Sequence, residues 1–89
     1  MKVYFHPKFV RQYRLLRKRN PELAKKLKER TEIFVKNPHH PLLKTHGLSG
    51  KLKEKYAFWI SWDLRIVFEF LDKEKVRFLA LGKHDQVYR

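Results

Sequence analysis

The sequence predicts an α+β fold with the element order β-α-α-β-β-β, in which a helical hairpin packs on a small, mainly antiparallel sheet. Two observations predict this class. Apolar residues recur every three to four positions between residues 7 and 36, and after Gly47 they alternate with other residues at a period of two. The 89 residues are enough for one modest hydrophobic core, so we expect a single domain over residues 1–89.

The chain opens with a short predicted strand over residues 2–5, where three β-prone residues follow one another. Pro7 then fits the first position of a helix, because its missing N–H would have no partner there in any case. The apolar stripe that follows predicts a helix to about residue 19.

A second helix is predicted from Pro21 to about residue 36. Asn20 precedes a proline and therefore disfavours helical backbone, which ends the first helix. The tight turn between the two helices predicts an antiparallel hairpin. The run N-P-H-H-P at residues 37–41 stops the second helix, and a loop is expected to continue to about Gly47.

The second half of the chain is predicted to be a meander of strands. Alternation covers residues 48–53, 56–60 and 64–70, and a last strand over residues 76–80 follows a turn at residues 71–74. One face of this sheet should lie under the helices, and the other face should be open.

The charge is strongly basic, with 22 Lys and Arg against 9 Asp and Glu and a formal net charge of +13. Self-repulsion of this size destabilises a compact chain, so we expect a polyanionic partner. Nucleic acid is the favoured partner, and an acidic protein is compatible with the same charge. No stretch combines a large apolar face with a long lysine-rich one, which argues against a membrane surface.

The absence of cysteine excludes disulfides, thiol nucleophiles and most structural zinc sites. His39 and His40 have no carboxylate at ligand spacing, so no metal or other cofactor is predicted. The sequence has no long apolar run suited to export or membrane spanning, and we expect a cytoplasmic protein.

Cations, aromatic residues and a carboxylate concentrate between His46 and Arg65, where the pattern predicts two strands and a turn. Together with the C-terminal residues G-K-H-D-Q-V-Y-R, this segment is predicted to form a surface that handles RNA.

Three segments carry a resemblance to a known family: G-L-S-G-K-L-K at residues 47–53, W-D-L-R-I-V-F at residues 62–68 and L-G-K-H-D-Q-V-Y at residues 81–88. With the element order, nearly the whole chain resembles the RelE/ParE superfamily of bacterial toxins, most closely the YafQ-like and RelE-like messenger-RNA endonucleases. The resemblance implies a toxin that cuts the codon in the ribosomal A site without a metal. It also implies silencing by a cognate acidic antitoxin and a monomer when the antitoxin is absent.

The YafQ-like pattern has a histidine before the basic segment, a second histidine, an aspartate and a closing histidine–aromatic pair. The positions that match this pattern are His46, Asp63, His84 and Tyr88. Trp59 replaces the second histidine, which is a departure from the pattern. The positions that match RelE-like members instead are Lys51, Lys53 and Arg65.

Metal-free RNA cleavage requires a group that takes the proton of the 2′-OH, a group that protonates the 5′-oxygen, and cations that stabilise the phosphoryl oxygens. His84 is the candidate general acid. Asp63 and His46 are candidates for the base or for a group that orients it. Each has a structural alternative. His84 would be a surface histidine, Asp63 a turn aspartate bonded to local backbone, and His46 an ordinary loop histidine.

Three lysines at alternate positions are predicted to share one face of a strand as a phosphate track: Lys51, Lys53 and Lys55. A solvated edge that discourages aggregation is the alternative. Arg65 is predicted to hold a phosphate bidentately, and a salt bridge to Glu69 or Asp63 is its alternative. Tyr88 is predicted to stack on a base of single-stranded RNA, unless it docks on the core. One of Trp59 and Trp62 is expected in the core and the other beside the ligand.

Together with these residues, the resemblance implies a ribosome-dependent endoribonuclease toxin of a type II toxin–antitoxin pair, with messenger RNA, the ribosome and an antitoxin as partners. A ParE-type toxin that inhibits DNA gyrase is one alternative, although it would need no catalytic acid. A basic nucleic-acid-binding module is the other, and it would keep its function without His84. Basic residues on both helices are expected to contact ribosomal RNA, and a solvated helix face is the alternative.

Overall fold

The computed structural model describes residues 1–83, so the candidates His84 and Tyr88 lie outside the described residues. The helices are α1 (Pro7–Arg19) and α2 (Pro21–Lys36), and the strands are β1 (Lys2–Phe5), β2 (His46–Gly47), β3 (Tyr56–Trp59), β4 (Leu64–Asp72) and β5 (Lys75–Lys83). The predicted α+β class is confirmed, as are the predicted bounds of β1, α1 and α2. Within the described range, no helix is long and apolar enough to cross a membrane.

Both helices begin where the sequence supplies a cap followed by proline. The His6 side chain accepts a hydrogen bond from the backbone N–H of Lys8 at 3.0 Å, at the start of α1. The Asn20 side chain accepts one from the N–H of Leu23 at 3.1 Å, at the start of α2. Each cap satisfies a donor that the first helical turn would otherwise leave unpaired.

The sheet is mixed and has the strand order β1-β5-β4-β3-β2. β1 runs parallel to β5, and the other three pairings are antiparallel. The two helices cover one face. Aromatic rings from α1, α2 and the sheet meet there, with Phe34 stacked on Phe58 at a centroid distance of 4.5 Å. The core on this face consists of Phe9, Leu27, Phe34, Leu43, Phe58, Ile60, Ile66, Phe68, Val76, Phe78 and Leu81.

The prediction of a strand over residues 48–53 is wrong. β2 ends at Gly47, and residues Gly50–Leu52 form a short 3-10 helix. Its first residue, Gly50, has a φ of +66°. This bend lets Leu48 and Leu52 fold over the face opposite the helices, where they pack on Ala57, Val67 and Leu79. Burial of these apolar side chains explains why the chain does not stay extended.

Two predictions change as a result. The face opposite the helices, here called the second face, is partly covered by the loop rather than fully open. Lys51 lies in the 3-10 helix and Lys53 directly follows it, so these two lysines do not share a strand face with Lys55. The predicted turn at residues 71–74 is also shorter, because β4 extends to Asp72 and β5 begins at Lys75.

Strand register fixes which residues are neighbours on the second face. Trp59, Arg65 and Gly82 lie opposite one another across β3, β4 and β5. The next row contains Ala57, Val67 and Ala80, and β2 extends this row through His46 opposite Ala57. Residues two apart on a strand point to the same side, so His46, Trp59 and Arg65 share the second face.

Candidate functional site

Two of the predicted site residues that the structure describes, Arg65 and Asp63, lie at one end of the sheet, and His46 lies on the neighbouring row of the second face, whereas Lys55 lies beside Glu69, farther along β4. The Arg65 end contains the β3–β4 turn, the last residues of β5 and, on the next row, the short strand β2. Arg65 occupies its centre, because β4 lies between β3 and β5. Gly82, which lies opposite Arg65, is buried, and the sequence reaches His84 two residues later.

Arg65 is held in place by its neighbours. It is 3% exposed, and its guanidinium carbon lies 4.5 Å from the centroid of the Trp59 ring. Its Nη1 donates a hydrogen bond to the carbonyl oxygen of Trp62 at 3.0 Å. Its Nε has no hydrogen-bond partner among the described residues. The side chain is therefore oriented by an aromatic ring and a turn carbonyl.

The salt bridges to Glu69 or Asp63, which were the alternatives for Arg65, are not formed. The described ion pairs of Glu69 go to Lys55 at 2.8 Å and to Arg77 at 3.6 Å. Within residues 1–83, Arg65 pairs with no carboxylate. A buried cation without an anionic partner carries a desolvation cost that the Trp59 ring offsets only in part. An anionic ligand would offset the remainder.

Trp59 carries a second cation on its ring. The Lys44 Nζ lies 5.3 Å from the ring centroid. Lys44 follows a 3-10 helix at Pro41–Leu43 and has left-handed backbone, with φ of 49° and ψ of 41°. Sequence reasoning missed Lys44 because it lies in a loop outside the basic segment, and its nearness to His46 was the one available signal.

Neither tryptophan belongs to the core, contrary to the expectation for one of them. Trp59 is half-buried on the second face, and Trp62 is 77% exposed in the β3–β4 turn. Trp59 contacts the candidate site through its ring, whereas Trp62 contributes a backbone carbonyl.

The structure places His46 on β2, half-buried and tied to the Lys44 loop. Its Nδ1 lies 2.8 Å from the carbonyl oxygen of Lys44, which can only accept, so Nδ1 is the donor. In the neutral ring this tautomer leaves the lone pair on Nε2, and a nitrogen with a lone pair can take a proton.

Asp63 lies in the β3–β4 turn, two residues before Arg65. In the described part of the chain its carboxylate makes neither a hydrogen bond nor an ion pair. The predicted alternative, a turn aspartate bonded to local backbone, is therefore not observed. Ser61 has this role instead, since its Oγ accepts a hydrogen bond from the N–H of Leu64 at 3.1 Å.

The three lysines differ in their surroundings. Lys51 and Lys53 are exposed on the loop that covers part of the second face. Lys55 is only partly exposed and is neutralised by Glu69. The three lysines therefore do not form the predicted track. Within the described residues, only Lys51 and Lys53 remain without an ion pair and could bind a phosphate.

A groove of about 500 Å³ extends from this end of the second face along β5. Its floor is apolar and includes Val67 and Ala80, and Gly82 connects it to the Arg65 row. Lys8 and Lys55 lie at its rim. No three His, Asp or Glu side chains in the described range are placed to hold a metal ion.

Comparison with known proteins identifies the fold. No protein-family model and no curated protein sequence matches the chain. Among solved structures, the chain is similar to YafQ from E. coli strain BL21(DE3), with a TM-score of 0.80, 20% identity and coverage of 99% of this chain and 98% of that one. A YoeB/ParE toxin from Agrobacterium tumefaciens has a TM-score of 0.80 at 15% identity, over 94% of this chain and 99% of that one.

The same fold occurs in a toxin–antitoxin assembly. The chain matches a heterotetrameric YoeB-YefM toxin-antitoxin complex from Staphylococcus aureus with a TM-score of 0.77 and 19% identity, over 94% of this chain and 97% of that one. The chain therefore has the RelE-like toxin fold, and the resemblance drawn from the sequence is confirmed at the level of the fold.

Proposed function

We propose that this chain is a toxin of the RelE/ParE superfamily that cuts messenger RNA on the ribosome and is silenced by an acidic antitoxin. The fold it shares with YafQ and with YoeB/ParE supports the toxin role. The YoeB-YefM complex is a toxin–antitoxin pair of the same fold, which supports a protein partner. The net charge of +13 favours both RNA and an acidic protein.

One observation carries the proposal of nuclease activity: Arg65 is a buried cation without a carboxylate partner among the described residues. A planar guanidinium can donate two parallel hydrogen bonds to a phosphate, and its charge counts for more where water is excluded. At a scissile phosphate this arrangement stabilises the extra negative charge of the transition state.

The remaining candidates carry out the two proton transfers or bind the RNA strand. His46 or Asp63 takes the proton of the 2′-OH, which then attacks the neighbouring phosphorus and forms a 2′,3′-cyclic phosphate. His84 protonates the leaving 5′-oxygen, and the sequence places it two residues after Gly82, the residue opposite Arg65. Lys44, Lys51 and Lys53 add positive charge around the bound strand. Tyr88 stacks on a base beside the cut.

The basic helices supply the contact with the ribosome. Exposed arginines and lysines cover the outer surfaces of α1 and α2, on the opposite side of the sheet from Arg65. Phosphate contacts from these residues make binding strongly dependent on salt. Ribosomes and messages place the proposed activity in the cytoplasm.

The test is to express the wild type, His84→Ala and His39→Ala in bacteria and to map the 5′ ends of ribosome-bound messages. His39 is an exposed loop histidine outside the candidate site, so His39→Ala is the matched control. We expect codon-aligned cuts from the wild type and from His39→Ala, and none from His84→Ala. Growth arrest without codon-aligned cuts would overturn the nuclease, and equal cutting by His84→Ala would exclude His84 as its general acid.

The gyrase alternative makes a different prediction in the same cells. A ParE-type toxin stops growth, leaves messages intact and blocks DNA supercoiling by gyrase. A basic binding module leaves both the messages and supercoiling unchanged. Measuring plasmid supercoiling beside the 5′ ends therefore separates the three functions.

A further inference from the structure

The floor of the groove along β5 is shaped by an extra residue in that strand. Val67 pairs with Ala80 and Phe68 pairs with Phe78, so Leu79 has no partner on β4. Such a β-bulge re-aims the side chains around it. Leu79 packs on the second face beside Val67, and Ala80 lies on that face opposite Val67. Leu79 and Ala80 therefore both lie on the floor of the groove, although a regular strand would turn one of them to the other face.

Two other parts of the chain form the walls of the groove. Leu52 comes from the loop that covers part of the second face, and the segment that starts α1 contributes His6, Lys8 and Gln12. The volume of about 500 Å³ and the largely apolar lining with a few polar side chains are typical of sites for small ligands.

The polar side chains on the α1 wall leave donors for a ligand. The Nδ1 of His6 accepts a hydrogen bond from the N–H of Lys8 at 3.0 Å, so the neutral ring carries its hydrogen on Nε2 and can donate it. Lys8 is exposed and forms no ion pair within residues 1–83. Both amide groups of Gln12 are already bonded to the backbone of Leu81, at 2.7 and 2.8 Å. His6 and Lys8 are therefore the groups of this wall that are available to a ligand.

This lining fits a nucleotide better than a peptide. The described lining contains two lysines and a histidine but no carboxylate, and the one side-chain amide is occupied. A peptide brings an N–H donor with nearly every residue, and no side-chain acceptor in the groove is free to receive it. A nucleotide brings a flat base for an apolar floor and a phosphate whose oxygens accept from cationic donors. Gly82 also lines the groove and pairs with Arg65, which connects the groove to the candidate site.

We propose that this groove binds one ribonucleotide of the single-stranded message, with its base on the floor of Val67, Leu79 and Ala80 and its phosphate against His6 and Lys8. The inference takes its ligand from the proposed nuclease function and rests on it. The groove contributes affinity for the strand and takes no part in the proton transfers. An acidic peptide is the competing occupant, and the test includes it.

The test locates the ligand by methyl NMR of the whole chain, without ribosomes, and uses adenosine 5′-monophosphate as the probe. The methyl signals of Leu52, Val67, Leu79 and Ala80 report on the groove, and the indole signal of Trp59 reports on the Arg65 row. Adenosine and ribose 5-phosphate, titrated separately, distinguish the contribution of the base from that of the phosphate. A peptide of alternating leucine and glutamate represents the acidic protein.

Two variants and a control complete the design. Lys8→Met removes the unpaired cation of the wall, and Ala80→Leu fills part of the floor. Lys73→Met is the matched control, because Lys73 is exposed in the β4–β5 turn, does not line the groove and has no ion pair in the described part of the chain. Thermal unfolding monitors the fold of each variant, and Lys8→Met decides the test if Ala80→Leu is unstable.

We expect the monophosphate to shift the groove methyl signals, because the base lies against them, and ribose 5-phosphate to leave them nearly unchanged. Lys8→Met should weaken binding of the monophosphate by about 3- to 10-fold and should change binding of adenosine by less than about two-fold, since adenosine has no phosphate. Ala80→Leu should weaken binding of both ligands by about three-fold or more. Lys73→Met should match the wild type.

Three results would overturn the groove as an RNA subsite: shifts confined to Trp59, equal affinity of Lys8→Met and the wild type for the monophosphate, or groove shifts caused by the acidic peptide and not by the monophosphate. A wild type that fails to cut messages on the ribosome would instead contradict the proposed function, and with it the assignment of the groove to a message. The two failures are distinguishable because binding of the monophosphate is measured without ribosomes.

Discussion

The guanidinium carbon of Arg65 lies 4.5 Å from the centroid of the Trp59 ring, directly across the β3–β4 ladder. The sequence resemblance predicts that Trp59 stands where the YafQ-like pattern has a histidine. The ring orients a cation that no described carboxylate neutralises, and it excludes water from one side of the guanidinium. The departure from the family pattern therefore has a structural role, which is to support the arginine.

Arg65→Met should separate stability from activity. Within residues 1–83 Arg65 is a buried cation without a carboxylate partner, and an apolar side chain of similar length removes its desolvation cost, so we expect an unfolding temperature equal to or above that of the wild type. Cleavage should fall by about 100-fold or more, since the charge that stabilises the phosphoryl oxygens is removed. Calorimetry and single-turnover cleavage measure the two effects. A variant that is stable and fully active would exclude Arg65 from the reaction.

Trp59→Leu should destabilise the protein and lower its activity together. Loss of the ring removes the desolvated cation–π contact and leaves space on the second face, which we expect to cost about 2 kcal/mol in urea unfolding. Trp62→Leu is the matched control, because that side chain is 77% exposed. Its unfolding free energy should change by less than about 0.5 kcal/mol. Equal effects at the two positions would show that Trp59 does not support Arg65.

Lys44→Gly tests the loop lysine that the sequence did not reveal. Lys44 has a φ of 49°, a conformation that glycine adopts without strain, so the variant should gain about 1 kcal/mol of stability. Cleavage should nevertheless fall, because a cation beside Trp59 is removed. Glu54 also has positive φ, at 72°, and Glu54→Gly should show the same gain in stability. If Lys44→Gly keeps full activity, Lys44 has no part in RNA binding.

The lysines should differ in their effect on RNA binding. Lys51→Met and Lys53→Met should each weaken binding and reduce its salt dependence by about one ion, because these side chains are exposed and unpaired within residues 1–83. Lys55→Met should change the salt dependence much less, since Glu69 already neutralises Lys55 at 2.8 Å. Fluorescence anisotropy with a short RNA at several salt concentrations measures the slopes. A slope for Lys55→Met as low as that for Lys51→Met would contradict this division.

Helix and strand bounds were largely predictable because local signals determine them. Proline at the first helical position and a capping side chain before it mark both helices, and alternation marks β3, β4 and β5. The segment at residues 48–53 also alternates, but Leu48 and Leu52 are buried by contacts with residues far along the chain. Such contacts are invisible to a local pattern.

The site was predictable by residue type and less so by arrangement. Arg65 and His46 share the second face and Asp63 lies in the adjoining β3–β4 turn, whereas the pairing of Lys55 with Glu69 depends on strand register. The Lys44 side chain lies over the ring of Trp59, 15 residues later in the sequence, and the Gln12 side chain bonds the backbone of Leu81, 69 residues later. Neither Lys44 nor Gln12 belongs to a motif, so only the folded chain reveals these contacts.

The most direct test of metal-free cleavage on the ribosome uses a message with a single 2′-deoxy substitution at the cut. The wild-type protein should cut the all-ribose message in the A-site codon and leave a 2′,3′-cyclic phosphate and a 5′-hydroxyl. It should leave the substituted message intact, because the attacking group is missing. Cleavage of the substituted message, or products that end in 5′-phosphate, would contradict the proposed reaction.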